Sequence, residues 1–203
     1  MLVKRLEAER DNVIGLVPVY TDTGNATEVW LNTGEVFIDS RGIKAVRANL
    51  ARSYAIDLKA QRLQVGTLLN RKGPLPFYIG KRVFIPLKLR QAVTDNDMVY
   101  GFLDISYVKS LEPLEKGTRC EAVMPEGKRI RVLSHYNTAL AAKQTGERLA
   151  DLLDLKRSNS GEDEVVKSVA AFIGNINEIS RRLERIEDKI TESGINREVK
   201  EED

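Results

Sequence analysis

Residues 119–132 read RCEAVMPEGKRIRV, a stretch in which the secondary structure can be read directly from the residue order. Cys120 and Ala122 alternate with charged residues, and Ile130 and Val132 do the same after the turn-forming sequence PEGK. Such alternation places apolar side chains on one face of a strand and polar side chains on the other. The stretch therefore predicts an antiparallel hairpin with one buried face.

Two more hairpins are predicted near the N-terminus. Residues 13–20 are rich in β-forming side chains, and residues 21–25 are a run of turn formers. The apolar triplets 29–31 and 36–38 flank a second turn, in which Gly34 supplies the positive φ angle that such turns need. Antiparallel pairing is thus expected on both sides of the chain's central segment.

The central segment changes to helical spacing and then returns to strands. Apolar residues recur at helical intervals from Gly42, and Asp57 is placed to cap a second helix that residues 70–74 interrupt. Further strands are predicted at residues 75–79, 83–87 and 99–108, and a last helix at 138–155. We therefore expect an α+β fold, mainly an antiparallel sheet with basic helices, followed by a C-terminal coiled-coil helix.

Composition suggests four consecutive parts. Residues 1–155 have the apolar content of a folded domain, and residues 156–161 are small and polar, as in a short linker. Residues 162–192 carry heptad spacing, and the acidic residues 193–203 predict a disordered tail.

The heptad segment predicts self-association. Its apolar residues follow one another at intervals of four and three, which forms one stripe along an otherwise polar helix. The seam residues assigned to oligomerisation are Val169, Phe172, Ile176, Ile179, Leu183, Ile186 and Ile190. The alternative is a helix that packs back on its own domain. The spacing leaves the number of strands open.

Charge is unevenly distributed along the chain. Between Ser40 and Arg90, twelve Lys and Arg residues stand against the single acid Asp57, a local balance of +11 in a chain whose total is +2. Such segregation attracts polyanions, of which nucleic acid is the commonest large one, although the cations could simply solvate outer faces. The residues predicted to contact DNA are Arg41, Lys44, Arg47, Arg52, Arg71, Lys72, Lys81 and Arg82.

No catalytic chemistry is predicted. The sequence contains no Walker-type loop and no GxGxxG, GxSxG, HExxH or CxxC motif, and Cys120 with His135 is too few ligands for a structural zinc site. We expect no cofactor.

No apolar run approaches the roughly 18 residues of a membrane span, and residues 1–10 lack the features of a secretory signal, which favours a cytoplasmic protein without membrane contact.

A family resemblance joins several of these segments. It rests on the sequences RSYA at 52–55, PLPF at 74–77, VFIP at 83–86, EGK at 126–128 and SHYNT at 134–138. In this order and spacing, residues 39–149 resemble the competence transcription factor family. The resemblance implies a bacterial regulator that binds AT-rich promoter boxes through the minor groove, bends DNA and works as paired dimers.

One departure from the family and two rival functions accompany this interpretation. In the family, the C-terminus is a short segment that a proteolytic adaptor recognises. This chain carries heptads there, so regulation by such an adaptor is not inferred. One rival function is a non-catalytic oligomeric scaffold or adaptor whose basic segment binds an acidic protein. The other is RNA binding, which shares the charge argument and differs in groove geometry.

Overall fold

The computed structural model describes residues 2–95, 97–114 and 118–154, and the account below is limited to them. The chain divides into the units Met1–Asp154 and Leu155–Asp203. The linker, heptads and acidic tail inferred from sequence therefore lie outside the described residues.

A six-stranded antiparallel sheet forms the centre of the first unit. Its strands are β1 Val13–Thr21, β2 Gly24–Leu31, β3 Val36–Asp39, β4 Phe77–Ile79, β5 Arg82–Lys88 and β6 Tyr100–Asp104. Their spatial order is β3-β2-β1-β6-β5-β4. The two N-terminal hairpins are confirmed: Tyr20 pairs with Asn25 across the first, and Trp30 with Val36 across the second.

A second antiparallel sheet contains three strands, β7 Ser110–Leu114, β8 Arg119–Val123 and β9 Arg129–Val132. They are paired in the order β7-β8-β9. The hairpin predicted from residues 119–132 is confirmed, with Cys120 opposite Val132. All strand pairs of the described residues are antiparallel, so the α+β class with a mainly antiparallel sheet is also confirmed.

Four helices accompany the sheets in the described part of the chain. They are α1 Leu2–Ala8, α2 Ile43–Arg52, α3 Leu58–Leu69 and α4, residues 136–154. Asp57 caps α3 as its sequence predicted, because its carboxylate accepts hydrogen bonds from the amides of Lys59 at 2.7 Å and Ala60 at 3.2 Å. Asn70 ends α3 in the left-handed conformation, with φ of 48°.

The six-stranded sheet is buried on both faces because its strands carry apolar residues at adjacent positions. Phe84 and Phe102 contact one cluster with α2 residues such as Val46, whereas Ile85 and Leu103 contact another that includes the three-stranded sheet. A third cluster joins α3 to α4 and β5 through Val65, Leu69, Leu75, Val83, Leu149 and Leu153. These clusters fix α3 and the loop that follows it against the rest of the domain.

Within the described ranges, no helix is both long and apolar enough to cross a membrane.

Candidate nucleic-acid interface

Two of the eight predicted DNA contacts are engaged in internal ion pairs. The guanidinium of Arg41 donates from Nε to Asp39 at 2.9 Å, and the carboxylate of Asp39 is buried. Burial alone would raise the pKa of Asp39, but the hydrogen bonds from Arg41 outweigh burial and lower it. Arg82 pairs in the same way with the buried Asp104, at 2.9 Å. The guanidinium charges of Arg41 and Arg82 are therefore balanced within the fold.

Arg47 is packed beneath the surface of α2. Its guanidinium lies 4.7 Å from the ring centroid of Phe102 and 5.8 Å from that of Phe77. The Nε atom is buried and has no hydrogen-bond partner. Burial, followed by repulsion from Arg62, lowers the pKa of Arg47. This cation is only partly accessible to a ligand.

Arg71 and Lys72 lie together in the loop after α3, between two grooves. The larger groove has a volume of about 820 Å³, and the smaller, of about 130 Å³, lies against α4. Both residues line both grooves and both are exposed. Arg71 also donates a hydrogen bond to Thr145 of α4, which holds the loop without neutralising the guanidinium.

Three further cations adjoin the same loop. Arg62 lines the larger groove and donates to the carbonyl oxygen of Gly73 at 3.1 Å, and Lys88 lines the smaller groove. A cavity of about 30 Å³ joins Arg62 to Arg47. We call the three adjoining depressions the α3 surface. No Asp or Glu of the described residues lines any of them.

The exposed side of α3 adds polar and apolar groups to this surface. Thr67 lines the larger groove with Leu63, whose side chain is 69% exposed. Lys59 and Gln64 are exposed on the same helix. Arg62 and Lys88 belong to the cationic segment but not to the eight predicted contacts, because sequence alone does not show which cations share a groove.

The remaining predicted contacts do not line the α3 surface. Arg52 is exposed at the C-terminal end of α2, and Lys81 is exposed in the turn between β4 and β5. Lys44 is exposed in the first turn of α2 and lines a separate cavity. Of the eight, the structure brings together Arg71, Lys72 and, partly buried, Arg47.

Metal-binding side chains do not cluster in the described ranges. No three His, Cys, Asp or Glu side chains there lie close enough to hold a metal ion. Cys120 is a buried core thiol, as its place on an apolar strand face predicted, and burial raises its pKa.

In comparisons with known proteins, no family model, no curated protein and no solved structure gives a significant match to this chain.

Proposed function

We propose that this protein is a DNA-binding transcription regulator that contacts duplex DNA through the α3 surface. The observation that carries the proposal is the set of three adjoining grooves lined by Arg47, Arg62, Arg71, Lys72 and Lys88, without a carboxylate among the described lining residues. Phosphate contacts of this kind supply most of the affinity of non-specific DNA binding.

The hydrogen-bonding state of the exposed arginines supports the same conclusion. Arg62 and Arg71 donate to a carbonyl and a hydroxyl oxygen, both neutral. Each guanidinium has five N–H donors, so most donors remain for phosphate oxygens. The loop is thus oriented by neutral partners, and Arg71 and Lys72 form no ion pair with the described residues.

The finer features of the proposal come from the sequence. Selectivity for AT-rich duplexes, minor-groove contact and a role in transcription follow the resemblance to competence transcription factors. Narrow A·T minor grooves concentrate negative potential that attracts Arg, and Arg71 is exposed on the α3 surface. The C-terminal heptads would join several domains, which raises the effective concentration at neighbouring sites.

The test is the salt dependence of binding to a random-sequence 30-base-pair duplex, followed by fluorescence anisotropy. The triple variant Arg62→Gln, Arg71→Gln, Lys72→Gln should bind more weakly. The slope of log K against log salt should flatten by about 2.7 if all three residues contact phosphates.

A matched variant separates local contacts from net charge. Lys81→Gln, Lys109→Gln, Arg131→Gln removes the same charge from exposed positions outside the α3 surface. It should change the slope by less than one unit. Equal slopes for the two triple variants would refute the α3 surface as the DNA contact. Stronger competition by duplex RNA than by duplex DNA would favour the RNA-binding alternative.

A further inference from the structure

A cavity of about 440 Å³ lies beside the first turn of α2 and shares no lining residue with the α3 surface. Its volume is in the usual range for small-molecule sites. Much of the wall is apolar, from Pro18, Ile43, Ala48 and Met98. Two cations, Lys44 and Arg90, also line it, and none of its described lining residues is a carboxylate.

Arg90 is the unusual group in this cavity. The residue is only 8% exposed, and it forms no ion pair with the described residues. One guanidinium nitrogen donates to the carbonyl oxygen of Val19 at 2.9 Å, and the group lies 4.0 Å from the ring centroid of Tyr20. Its buried Nε has no partner. A buried cation that lacks a counter-ion is costly, so an anion in the cavity would be stabilised.

The carboxylate of Asp97, which follows Arg90 in the same loop, is already committed to other donors. Asp97 accepts hydrogen bonds from the hydroxyl of Tyr20 and from the amides of Val93 at 2.9 Å and Thr94 at 2.7 Å. All three donors reach Oδ2, Oδ1 accepts from the side-chain amide of Asn25 at 3.4 Å, and no ion pair joins Asp97 to Arg90. The guanidinium of Arg90 therefore has no counter-ion among the described residues.

The N-terminus of α2 adds further hydrogen-bond donors. Gly42 caps this ten-residue helix without a side-chain hydrogen bond. The first amides of a helix have no intrahelical acceptor and carry the positive end of its dipole. Ile43 and Lys44, which contribute these amides, both line the cavity. Backbone and side-chain groups thus offer the same positive potential at one end of an apolar space.

We propose that this cavity binds a small organic anion whose acidic head contacts Arg90, Lys44 and the α2 N-terminus. The apolar body of the ligand packs against Pro18, Ala48 and Met98. The unbranched Met98 side chain, 43% exposed at the cavity, adapts readily to different apolar shapes. A carboxylate and a phosphate head share the chemistry that this arrangement recognises.

Calorimetric titration of the full-length protein tests the site with three probes: octanoate, phenyl phosphate and the uncharged octanamide. At least one anion should bind saturably at one site per chain, and octanamide should bind at least about tenfold more weakly than octanoate or phenyl phosphate, whichever is tighter. The preferred anion identifies the head group. Absence of saturable binding by both anions, or equal affinity for octanamide, overturns the proposal.

Substitutions locate the binding. Arg90→Gln should lower the affinity for the anion at least about tenfold. Ala48→Phe should abolish anion binding, because the larger side chain fills the cavity. The matched control is Arg52→Gln, which removes an exposed cation of α2 that does not line the cavity. It should leave the affinity for the anion unchanged. Circular dichroism checks the fold of each variant.

Arg90 also donates a hydrogen bond to the carbonyl oxygen of Val19, so Arg90→Gln removes this hydrogen bond as well as the charge. Lys44→Gln removes a second charge at an exposed position and should lower the affinity for the anion severalfold. Anion affinity that survives both Lys44→Gln and Ala48→Phe places binding elsewhere and overturns the proposal.

Discussion

The Nε atom of Arg82 on β5 lies 2.9 Å from Oδ2 of Asp104, the last residue of β6, whose side chain is fully buried. The other carboxylate oxygen of Asp104 accepts the amide of Ser106 at 3.1 Å. Arg82 also donates to the backbone carbonyl of Asp11 at 3.0 Å. One guanidinium therefore connects the segment before β1 to two strands of the sheet.

Arg82→Ala should lower the free energy of unfolding by about 3 kcal/mol, because it leaves the buried carboxylate of Asp104 without its cation. Urea unfolding followed by circular dichroism measures the change. The adjacent Lys81→Ala is the control, and its exposed side chain should alter stability by less than about 0.5 kcal/mol. Similar stabilities for the two variants would contradict a structural role for Arg82.

Gly146 of α4 lies close against Ile85 of β5. A Cβ atom at this position would lie 2.3 Å from Cγ2 of Ile85 and 2.9 Å from Cδ1 of Ile105. Gly146→Ala should therefore destabilise the domain by about 1–3 kcal/mol, although alanine favours helices. Thermal unfolding tests this, with Gln144→Ala on the exposed side of α4 as the control. An increase in stability for Gly146→Ala would show that α4 shifts without cost.

The hydrogen bond between Tyr20 and Asp97 predicts that the stability of the domain falls at acid pH. The hydrogen bond from Tyr20, followed by the one from the amide of Thr94, holds the pKa of Asp97 well below its ordinary value. Asp97 therefore contributes stability above its unfolded pKa of about 4, and this contribution is lost as pH falls towards the lower folded value.

Tyr20→Phe should raise the pKa of Asp97, because one donor to the carboxylate is removed. Carbon NMR of the Asp97 carboxyl group between pH 6 and pH 2 follows the titration. Tyr54→Phe is the control, since the Tyr54 hydroxyl donates to Asp11 instead. An unchanged Asp97 titration in Tyr20→Phe would show that the backbone amides alone hold the pKa low.

Elements set by nearby residues were predictable from the sequence. The carboxylate of Asp57 caps α3 by accepting from amides only two and three residues further along the chain. Gly34 has a φ of 86° in the turn that its neighbours indicate. The strand expected over residues 99–108 is wrong in its extent. β6 ends at Asp104, whose side chain caps a 3-10 turn by accepting from Ser106. Neither α1 nor β7 was predicted.

The candidate site was less accessible to sequence reasoning because its charges are paired or grouped by the tertiary fold. Asp39 lies just before the cationic segment and neutralises Arg41, and Asp104 reaches Arg82 across 22 positions. Conversely, Arg62 and Lys88 join Arg71 and Lys72 only when α3, β5 and the loop fold together. A charge count along the chain identifies the cations but not the surfaces that they form.

Minor-groove recognition predicts a difference between arginine and lysine at position 71. Arg71→Lys keeps the charge, so affinity for random duplex and its salt slope should stay nearly unchanged. Preference for AT-rich over GC-rich duplexes should fall severalfold, because an ammonium is desolvated less readily than a guanidinium in a narrow groove. Anisotropy titrations with both duplexes measure this.

Arg52→Lys serves as the control, because Arg52 does not line the α3 surface. Competition with a minor-groove ligand of A·T tracts and with methyl green, which occupies the major groove, gives an independent measurement. Displacement by methyl green alone would refute minor-groove contact.

The heptad spacing of the C-terminal segment predicts parallel self-association. In a parallel coiled coil, each g residue faces the e residue five positions later on its partner, which places Arg182 opposite Glu187. An antiparallel pair would instead bring Arg182 near Lys189. Such exposed pairs contribute only about 0.2–1 kcal/mol each, so the apolar seam supplies most of the stability and the charges its direction.

Leu183→Asp should dissociate the oligomer, because it places a carboxylate in the apolar seam. Domain stability should be unchanged, and affinity for two-site DNA should fall towards that for one-site DNA as the gain from effective concentration is lost. Sedimentation and binding to both DNAs measure these effects, with Glu184→Asp as the control at a polar position. If Leu183→Asp keeps the wild-type mass, the helix packs on its own domain. If it dissociates and binds two-site DNA undiminished, self-association serves a purpose other than DNA avidity.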